Sequence, residues 1–346
     1  MAIEHEELHV RRGERTGIYV IVAIHSTALG PALGGARLWR YGTPGDGIAD
    51  ALRLSEAMTL KAAAAGLDLG GGKCVICAEG ELGPERRRRL MLDLGDTVET
   101  LGGRYVTAED VGTSPEDMLV IAERTDHVVG LPPEHGGCGD PSPLTARGVE
   151  AAIRASLERR FGERSIAGRR VCVIGLGHVG LSLAERLAAG GAELVVSDVV
   201  EAKRERAEAL GARWVDAGSA TEQECDVLAP CALGGVVDAD NAGRLRAAIV
   251  CGAANNVLAD EEIAARLASR GVLYAPDFIA NAGGLIAVAA EQRGAGAEQV
   301  GAAVDGIEGV LARVFARAEA AGWTPLAAAR AIAAERLEGS LKVAAA

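Results

Sequence analysis

The chain has 346 residues, 49% hydrophobic and 24% charged, a balance that builds buried cores and excludes wholesale disorder, over a length that predicts two domains. A net charge of −12 argues against nucleic acid or anionic membrane as a partner, and no run approaches the roughly 20 apolar residues of a membrane span. The N-terminal MAIEHEELHVRRGERTG is too charged for a secretory signal, and seven scattered cysteines suit reduced thiols in a cytoplasmic protein better than a disulfide framework.

Residues 18–27 read as a buried strand, followed by a Gly/Pro-rich loop, and the three- and four-residue spacing of apolar residues predicts a helix over 48–65 that carries Met58 and Lys61. GLDLGGGKCVICA predicts a glycine turn entering a short strand, with Lys73 at its mouth. Of 36 basic residues only four are lysine, Lys61, Lys73, Lys203 and Lys342; 32 are arginine. A surface that needs only cations is served here by arginine, so two lysines twelve residues apart in a Gly/Ala-rich stretch point to chemistry, because lysine alone of the two can surrender its proton near neutral pH. Cys74 and Cys77 have a C-x-x-C spacing, but on a strand they face opposite ways, and no second pair completes a metal set; no metal site is expected. Residues 85–101 read as a helix whose four arginines at 86–89 form a solvated face. RYVTAEDVG is a strand delivering Ala108, Glu109 and Asp110 into a loop.

The Pro/Gly cluster at 131–148 marks a domain boundary, and a helix over about 144–160 leads out of it. VCVI then enters the turn Gly175-x-Gly177-His178-Val179-Gly180, which opens a helix, and the next strand ends at Asp198. That order is the dinucleotide-binding pattern: glycines for the tight turn and close approach of the pyrophosphate, a helix N-terminus for the phosphates, and a carboxylate for the adenosine ribose. Asp198 would repel a 2′-phosphate, so NAD is favoured over NADP. Apolar runs at 227–233, 247–256 and 272–284 continue a parallel, doubly wound sheet, and 297–320 and 325–343 are Ala-rich helices. His135 and His178 receive no role in catalysis.

PALGGARLWRY, SEAMTLKAAAAGLDLGGGKCVI, VTAEDVGTSPEDM, GDPSPLTARGV, APCALGG, GAANN and YAPDFIANAGGLI, in this order, resemble the Glu/Leu/Phe/Val amino-acid dehydrogenases, most of all the leucine and valine dehydrogenases. The resemblance implies an α/β fold with an N-terminal catalytic domain (1–138), completed by C-terminal helices from about 321 to 346, and a Rossmann domain (139–320). It implies reversible, NAD-dependent deamination of an L-amino acid to its 2-oxo acid and ammonia, in a homo-oligomer, dimer or octamer. Residue by residue, it implies Lys73 as the general base toward the attacking water, Lys61 as the holder of the substrate carboxylate, and Asp110 as the carboxylate exchanging a proton with the amine. It makes Gly34 and Gly35 a loop against the substrate backbone. Thr145 and Asn255 fall at the nicotinamide end, and Asn281 on the cofactor side. Positions lining the side-chain pocket map to Leu33, Met58, Ala108, Leu285 and Val288; all are apolar, which disfavours a glutamate-type substrate.

The residues agree with that chemistry: glycine-lined burial and a neighbouring cation, expected to be Lys61, would lower the Lys73 pKa, while Asp110 would raise it. Branched aliphatic amino acids are the expected substrates, with phenylalanine as the alternative. A catalytically silent NAD-binding sensor is the alternative of another kind, disfavoured because it needs neither cleft lysine.

Overall fold

A computed structural model describes residues 4–78 and 80–344; the first three residues of the charged N-terminal run and the last two of the C-terminal segment lie outside it. Two compact units emerge: Met1–Asp140 with Val288–Ala297 and Ala333–Ala346, and Pro141–Ala287 with Glu298–Ile332. The split falls two residues beyond the expected boundary, but the C-terminal contribution differs. Residues 288–297 join the first unit because the Glu291 carboxylate accepts the Gly130 and Cys138 N–H groups at 3.0 and 2.9 Å. Residues 321–332 leave it, because Leu326 packs into the core of the second.

In the first unit, strands β1 (Glu7–Arg12), β2 (Tyr19–Ser26), β3 (Ala32–Trp39), β4 (Gly70–Cys77) and β5 (Tyr105–Glu109) form a sheet in the order β1-β2-β4-β3-β5. β3, β4 and β5 run parallel; β1 and β2 pair antiparallel. Strand alternation divides the side chains between two layers. Ile21, Ala23 and Val75 pack under Ala51 and Leu52 of helix α1 (Pro44–Ala64). Val20, Val22, Cys74, Ile76 and Tyr105 pack on the other face, against Leu90, Met91 and Leu94 of α2 (Pro84–Glu99) and Met118 of α3 (Pro115–Ala122). Helix α1 starts where Thr43 and Asp46 form a capping box ahead of Pro44. β1 escaped the sequence reading because ELHVRR is an edge strand with little apolar content.

The glycines before Lys73 are strand residues of β4 and make no turn. A Cβ on Gly71 would sit 2.1 Å from the Thr59 nitrogen of α1, and one on Gly72 2.6 Å from the Tyr105 ring. Close packing on both faces demands them, and Lys73 therefore lies mid-strand.

In the second unit, β6 (Arg170–Ile174), β7 (Glu193–Ser197), β8 (Arg213–Trp214), β9 (Cys225–Pro230), β10 (Ala247–Val250) and β11 (Leu273–Tyr274) form an all-parallel sheet, ordered β11-β10-β9-β6-β7-β8. Counted from β8 this is 3-2-1-4-5-6, the order of a doubly wound dinucleotide-binding sheet. Helix α4 (Ser142–Phe161) leads in, and α5 (His178–Ala189) leaves the glycine turn. The expected run at 272–284 supplies only two strand residues; past Pro276 it forms helix Asp277–Ala280 and then helix Gly283–Gln292. The helix expected over 297–320 breaks at Gly306 into Ala297–Asp305 and Ile307–Ala321, and Pro325–Ala344 follows.

Candidate active site

The α1-facing side of β3, β4 and β5 gathers the predicted catalytic residues. Register places Leu33 beside Gly71, Gly35 beside Ala108, and Arg37 beside Val75. With side chains alternating, Leu33, Gly35 and Arg37 of β3, Lys73 of β4, Ala108 of β5 and Asp110 just past its end share one face. Gly34 and Gly35 lie inside β3 and form no loop. A Cβ on Gly35 would meet the Asp110 Cβ at 2.7 Å, one on Gly34 would strike the Gly72 carbonyl, and the Tyr105 hydroxyl pins the Gly34 carbonyl at 2.5 Å.

Lys73 is 5% exposed, and its Nζ lies 2.9 Å from Asp110 Oδ2. Burial pushes the Lys73 pKa down; Asp110 pulls it back and Arg37 lowers it again, leaving it below the ordinary lysine value. Burial alone would raise Asp110, but Lys73 and Arg37 outweigh it and hold its carboxyl below the usual range. Arg37 is therefore a cation acting on Lys73 that the sequence reading did not single out. Arg37 Nε donates to Asp110 at 2.9 Å. Lys61 and Met58 sit one turn apart on α1, both half-buried. Arg37 went unnoticed as one arginine among 32; the available signal was its position two residues past Gly35, on the same strand face. A cavity of about 580 Å³ opens beside it, lined by Arg37, Trp39, Tyr41, Asp50, Arg53 and Val111 among others.

Of the apolar pocket candidates, Leu33 and Ala108 are buried on this face. Leu285 and Val288 are buried one turn apart on helix Gly283–Gln292, Leu285 in the second unit and Val288 in the first. Among the described residues, no group of three His, Cys, Asp or Glu is placed to hold a metal, and no helix is long and apolar enough to cross a membrane.

The second unit fits a dinucleotide. Gly175 has φ +93°, and a Cβ there would collide with Ala232; a Cβ on Gly180 would come 1.9 Å from the Gly175 carbonyl. At Gly177, by contrast, the space is open, and this residue is the N-cap of α5, which continues through His178 and Val179, and brings no capping side chain. That is the backbone cradle a pyrophosphate requires. Asp198, at the end of β7, accepts the Leu176 and Val200 N–H groups at 2.6 and 2.8 Å and the Lys203 ammonium at 2.8 Å. Burial raises its pKa, but these donors outweigh burial and keep it ionised. Asn281 ties down the GAANN loop: its Nδ2 donates to Asn255 Oδ1 at 2.8 Å and to the Ala253 carbonyl at 3.2 Å. Its own Oδ1 is buried without a partner among the described residues, an acceptor suited to a carboxamide. The Thr145 hydroxyl abuts Gly284, where a Cβ would come within 2.9 Å. Exposed Val199 and Leu233 follow β7 and β9 beside this turn; the sequence reading passed over both.

Residues 5–127 match the family described as Glu/Leu/Phe/Val dehydrogenase, dimerisation domain, and 196–339 match Glutamate/Leucine/Phenylalanine/Valine dehydrogenase. Residues 146–233 also match the NAD-binding domain of D-isomer specific 2-hydroxyacid dehydrogenases. Leucine dehydrogenase of Bacillus subtilis (strain 168) is 42% identical over 97% of this chain and 92% of its own. The chain belongs to the Glu/Leu/Phe/Val dehydrogenase family. Another relative of the family, valine dehydrogenase of Streptomyces virginiae, is 45% identical over 96% of this chain and 94% of its own. The solved L-tryptophan dehydrogenase of Nostoc punctiforme superposes with a TM-score of 0.84 at 37% identity, covering 98% of both chains. As a family member the protein is an amino-acid dehydrogenase, an oxidoreductase acting on a CH–NH2 group with a nicotinamide cofactor.

Proposed function

We propose that the protein catalyses the reversible, NAD-dependent oxidative deamination of leucine, valine and isoleucine, converting amino acid, NAD⁺ and water to 2-oxo acid, ammonium, NADH and a proton. The observation that carries this is the buried Lys73–Asp110 pair on a sheet face whose neighbours, Leu33 and Ala108, are apolar. Such a face accommodates an aliphatic side chain, and a side-chain carboxylate set against Leu33 and Ala108 would be buried without compensation. NAD, when bound, would supply the acceptor for the hydride that leaves the α-carbon. Asp110, held ionised, accepts a proton from the substrate ammonium. Lys73, its pKa lowered, takes a proton at Nζ from the water that adds to the imine carbon. Lys61 holds the α-carboxylate, Gly34 and Gly35 allow the substrate backbone to approach, and Met58, Leu285 and Val288 complete the apolar lining.

Gly175, Gly177, His178, Val179 and Gly180 carry the pyrophosphate, Asp198 the adenosine ribose, and Thr145, Asn255 and Asn281 the nicotinamide end. NAD is preferred to NADP because Asp198 opposes a 2′-phosphate. Of the nearby cations, Lys203 is paired with Asp198 itself, and Arg204 and Arg206 are committed to Glu201, Glu208 and Glu185. The match to a dimerisation domain supports a homo-oligomer, and seven cysteines with no disulfide among them support a cytoplasmic setting.

The test is NAD reduction at alkaline pH with L-leucine, L-valine, L-isoleucine and L-phenylalanine. Turnover highest with the branched aliphatic substrates is the expected result. Preference for phenylalanine would overturn the substrate reading, and silence with every amino acid would favour the sensor.

A further inference from the structure

One oxygen of Asp110 serves two cations. Oδ2 receives the Lys73 ammonium at 2.9 Å and the Arg37 Nε–H at 2.9 Å. Arg37 is in turn fixed from behind. Its Nη1 donates to Asp50 Oδ2 at 3.2 Å, the Tyr41 hydroxyl donates to that same oxygen at 2.7 Å, and Arg53 holds Asp50 Oδ1 at 2.7 Å. The Arg37, Asp50 and Asp110 side chains are no more than 23% exposed, so their charges are weakly screened.

We propose that Arg37 is a positioning residue for the deamination: it shares Oδ2 of Asp110 with Lys73, so that Lys73 releases its proton to solvent at a lower pH than an isolated Lys–Asp pair would, and Asp50, oriented by Tyr41 and Arg53, keeps Arg37 in place. The charge count gives the reason. With Lys73 protonated, Lys73, Asp110 and Arg37 sum to +1; loss of the proton leaves a neutral cluster. Without Arg37 the same loss would strand a net negative charge in a buried site, which is costly. The guanidinium stays charged throughout the working range, so its effect does not fade as pH rises. Arg37 accordingly lowers both Lys73 and Asp110.

Other ionisable groups surround the cluster. Helix α1 brings Asp50, Arg53 and Lys61, and β2 brings His25 with the His5 ring 4.7 Å away. Tyr41 follows β3, Cys77 ends β4, and Cys74 and Glu109 lie on the opposite face. Burial pushes His25 below its ordinary value, so it is neutral throughout the alkaline range. Burial raises Tyr41, Cys74 and Cys77, and pushes Glu109 up to about 7, at the acid end.

The inference rests on Lys73 as the base, but it can be tested without turnover. The chain has four lysines, so protein grown on ¹³C-lysine gives four side-chain resonances, with Lys73 assigned by its disappearance in Lys73→Arg. In the wild type the Lys73 resonance titrates below the ordinary lysine value. In Arg37→Gln its midpoint rises by about one pH unit or more, the usual reach of a lost neighbouring charge. The alkaline rise of kcat moves with it, while KM for the amino acid and Kd for NAD change little. Arg37→Lys keeps a cation but cannot span both Asp110 and Asp50, and gives a smaller shift in the same direction; it carries the test if Arg37→Gln does not fold. An unmoved Lys73 midpoint in the folded variant, or a kcat lowered equally at every pH, overturns the inference. A wild type inactive on all four amino acids would refute the functional reading alone, since the lysine titration still decides the role of Arg37.

Discussion

The glycine turn after β6 and the glycine-rich face of β3 and β4 use the same residue for different ends. At the turn, Gly175 needs its left-handed φ of +93° and Gly177 leaves space for a ligand. There the proposed binding is by the backbone itself, and everything it requires lies in six consecutive residues. Within these strands, Gly34, Gly35, Gly71 and Gly72 have no positive φ; they are glycine because α1 on one face, Tyr105 on the other and the neighbouring strands come too close for a Cβ. Their role is to bring side chains from three strands within hydrogen-bond range. Backbone recognition therefore concentrates its signature locally, whereas side-chain catalysis spreads it across the register of a sheet.

The sharpest way to break this contrast is at Lys73. Lys73→Arg keeps the charge and removes the neutral form, and should cut turnover by roughly 10²-fold or more, the usual scale for lost acid–base help, with NAD affinity unchanged. Because its folded pKa lies below the ordinary lysine value of 10.5, wild-type deamination should climb with pH and level off before that value; a climb continuing past it would remove the base assignment. Gly180→Ala attacks the other kind of site. Its Cβ would strike the Gly175 carbonyl, and an overpacking cost of about 1–3 kcal/mol should appear as weaker NAD binding or a lower Tm. Isothermal titration and a melt on one sample read both, and neither changing would mean the turn tolerates a side chain.

Cofactor choice should yield about tenfold, or roughly 1.4 kcal/mol, in favour of NAD. Lys203 sharpens the prediction, since its ammonium partly neutralises Asp198. Lys203→Ala should widen the preference, and Asp198→Ser should narrow it by freeing Lys203 for a 2′-phosphate. Equal kcat/KM with both cofactors in the wild type would remove the role given to Asp198. The smallest effect is expected at Leu285. Leu285→Ala should raise the phenylalanine-to-valine ratio of kcat/KM by a few-fold, the modest reach of apolar pocket discrimination. A lowered Tm with an unchanged ratio would make Leu285 a core residue only.

The opening strand–helix–strand unit of the Rossmann half was legible almost to the residue because its signals are contiguous: strand, glycine turn, helix, strand, Asp198. In the catalytic half, Lys73 stood out against an arginine-rich background, and Asp110 acquired meaning only through the motifs around it. Arg37 was hidden by that same background, and its role emerges only when β3 is set between β4 and β5. The C-terminal helices were harder still. Leu326 and Arg336 lie on one Ala-rich helix yet serve different units, Leu326 in the second core and Arg336 against Asp68. Alanine packs equally well in either, so no periodicity separated them.

Arg336 carries a consequence for how the protein is made. Its guanidinium donates to the Ala63 carbonyl at the end of α1 and, at 2.6 Å, to the Leu67 carbonyl, 269 residues earlier; Ser340 reaches the Ala28 carbonyl at 2.5 Å. These contacts cap the segment that joins Lys61 to β4. Synthesis proceeds from the N-terminus, so a nascent chain already holds the complete glycine turn while the carbonyls between Lys61 and Lys73 still await the Arg336 guanidinium. A chain interrupted between Leu326 and Arg336 would carry the second unit's core contact at Leu326 and leave the link from α1 to β4 uncapped.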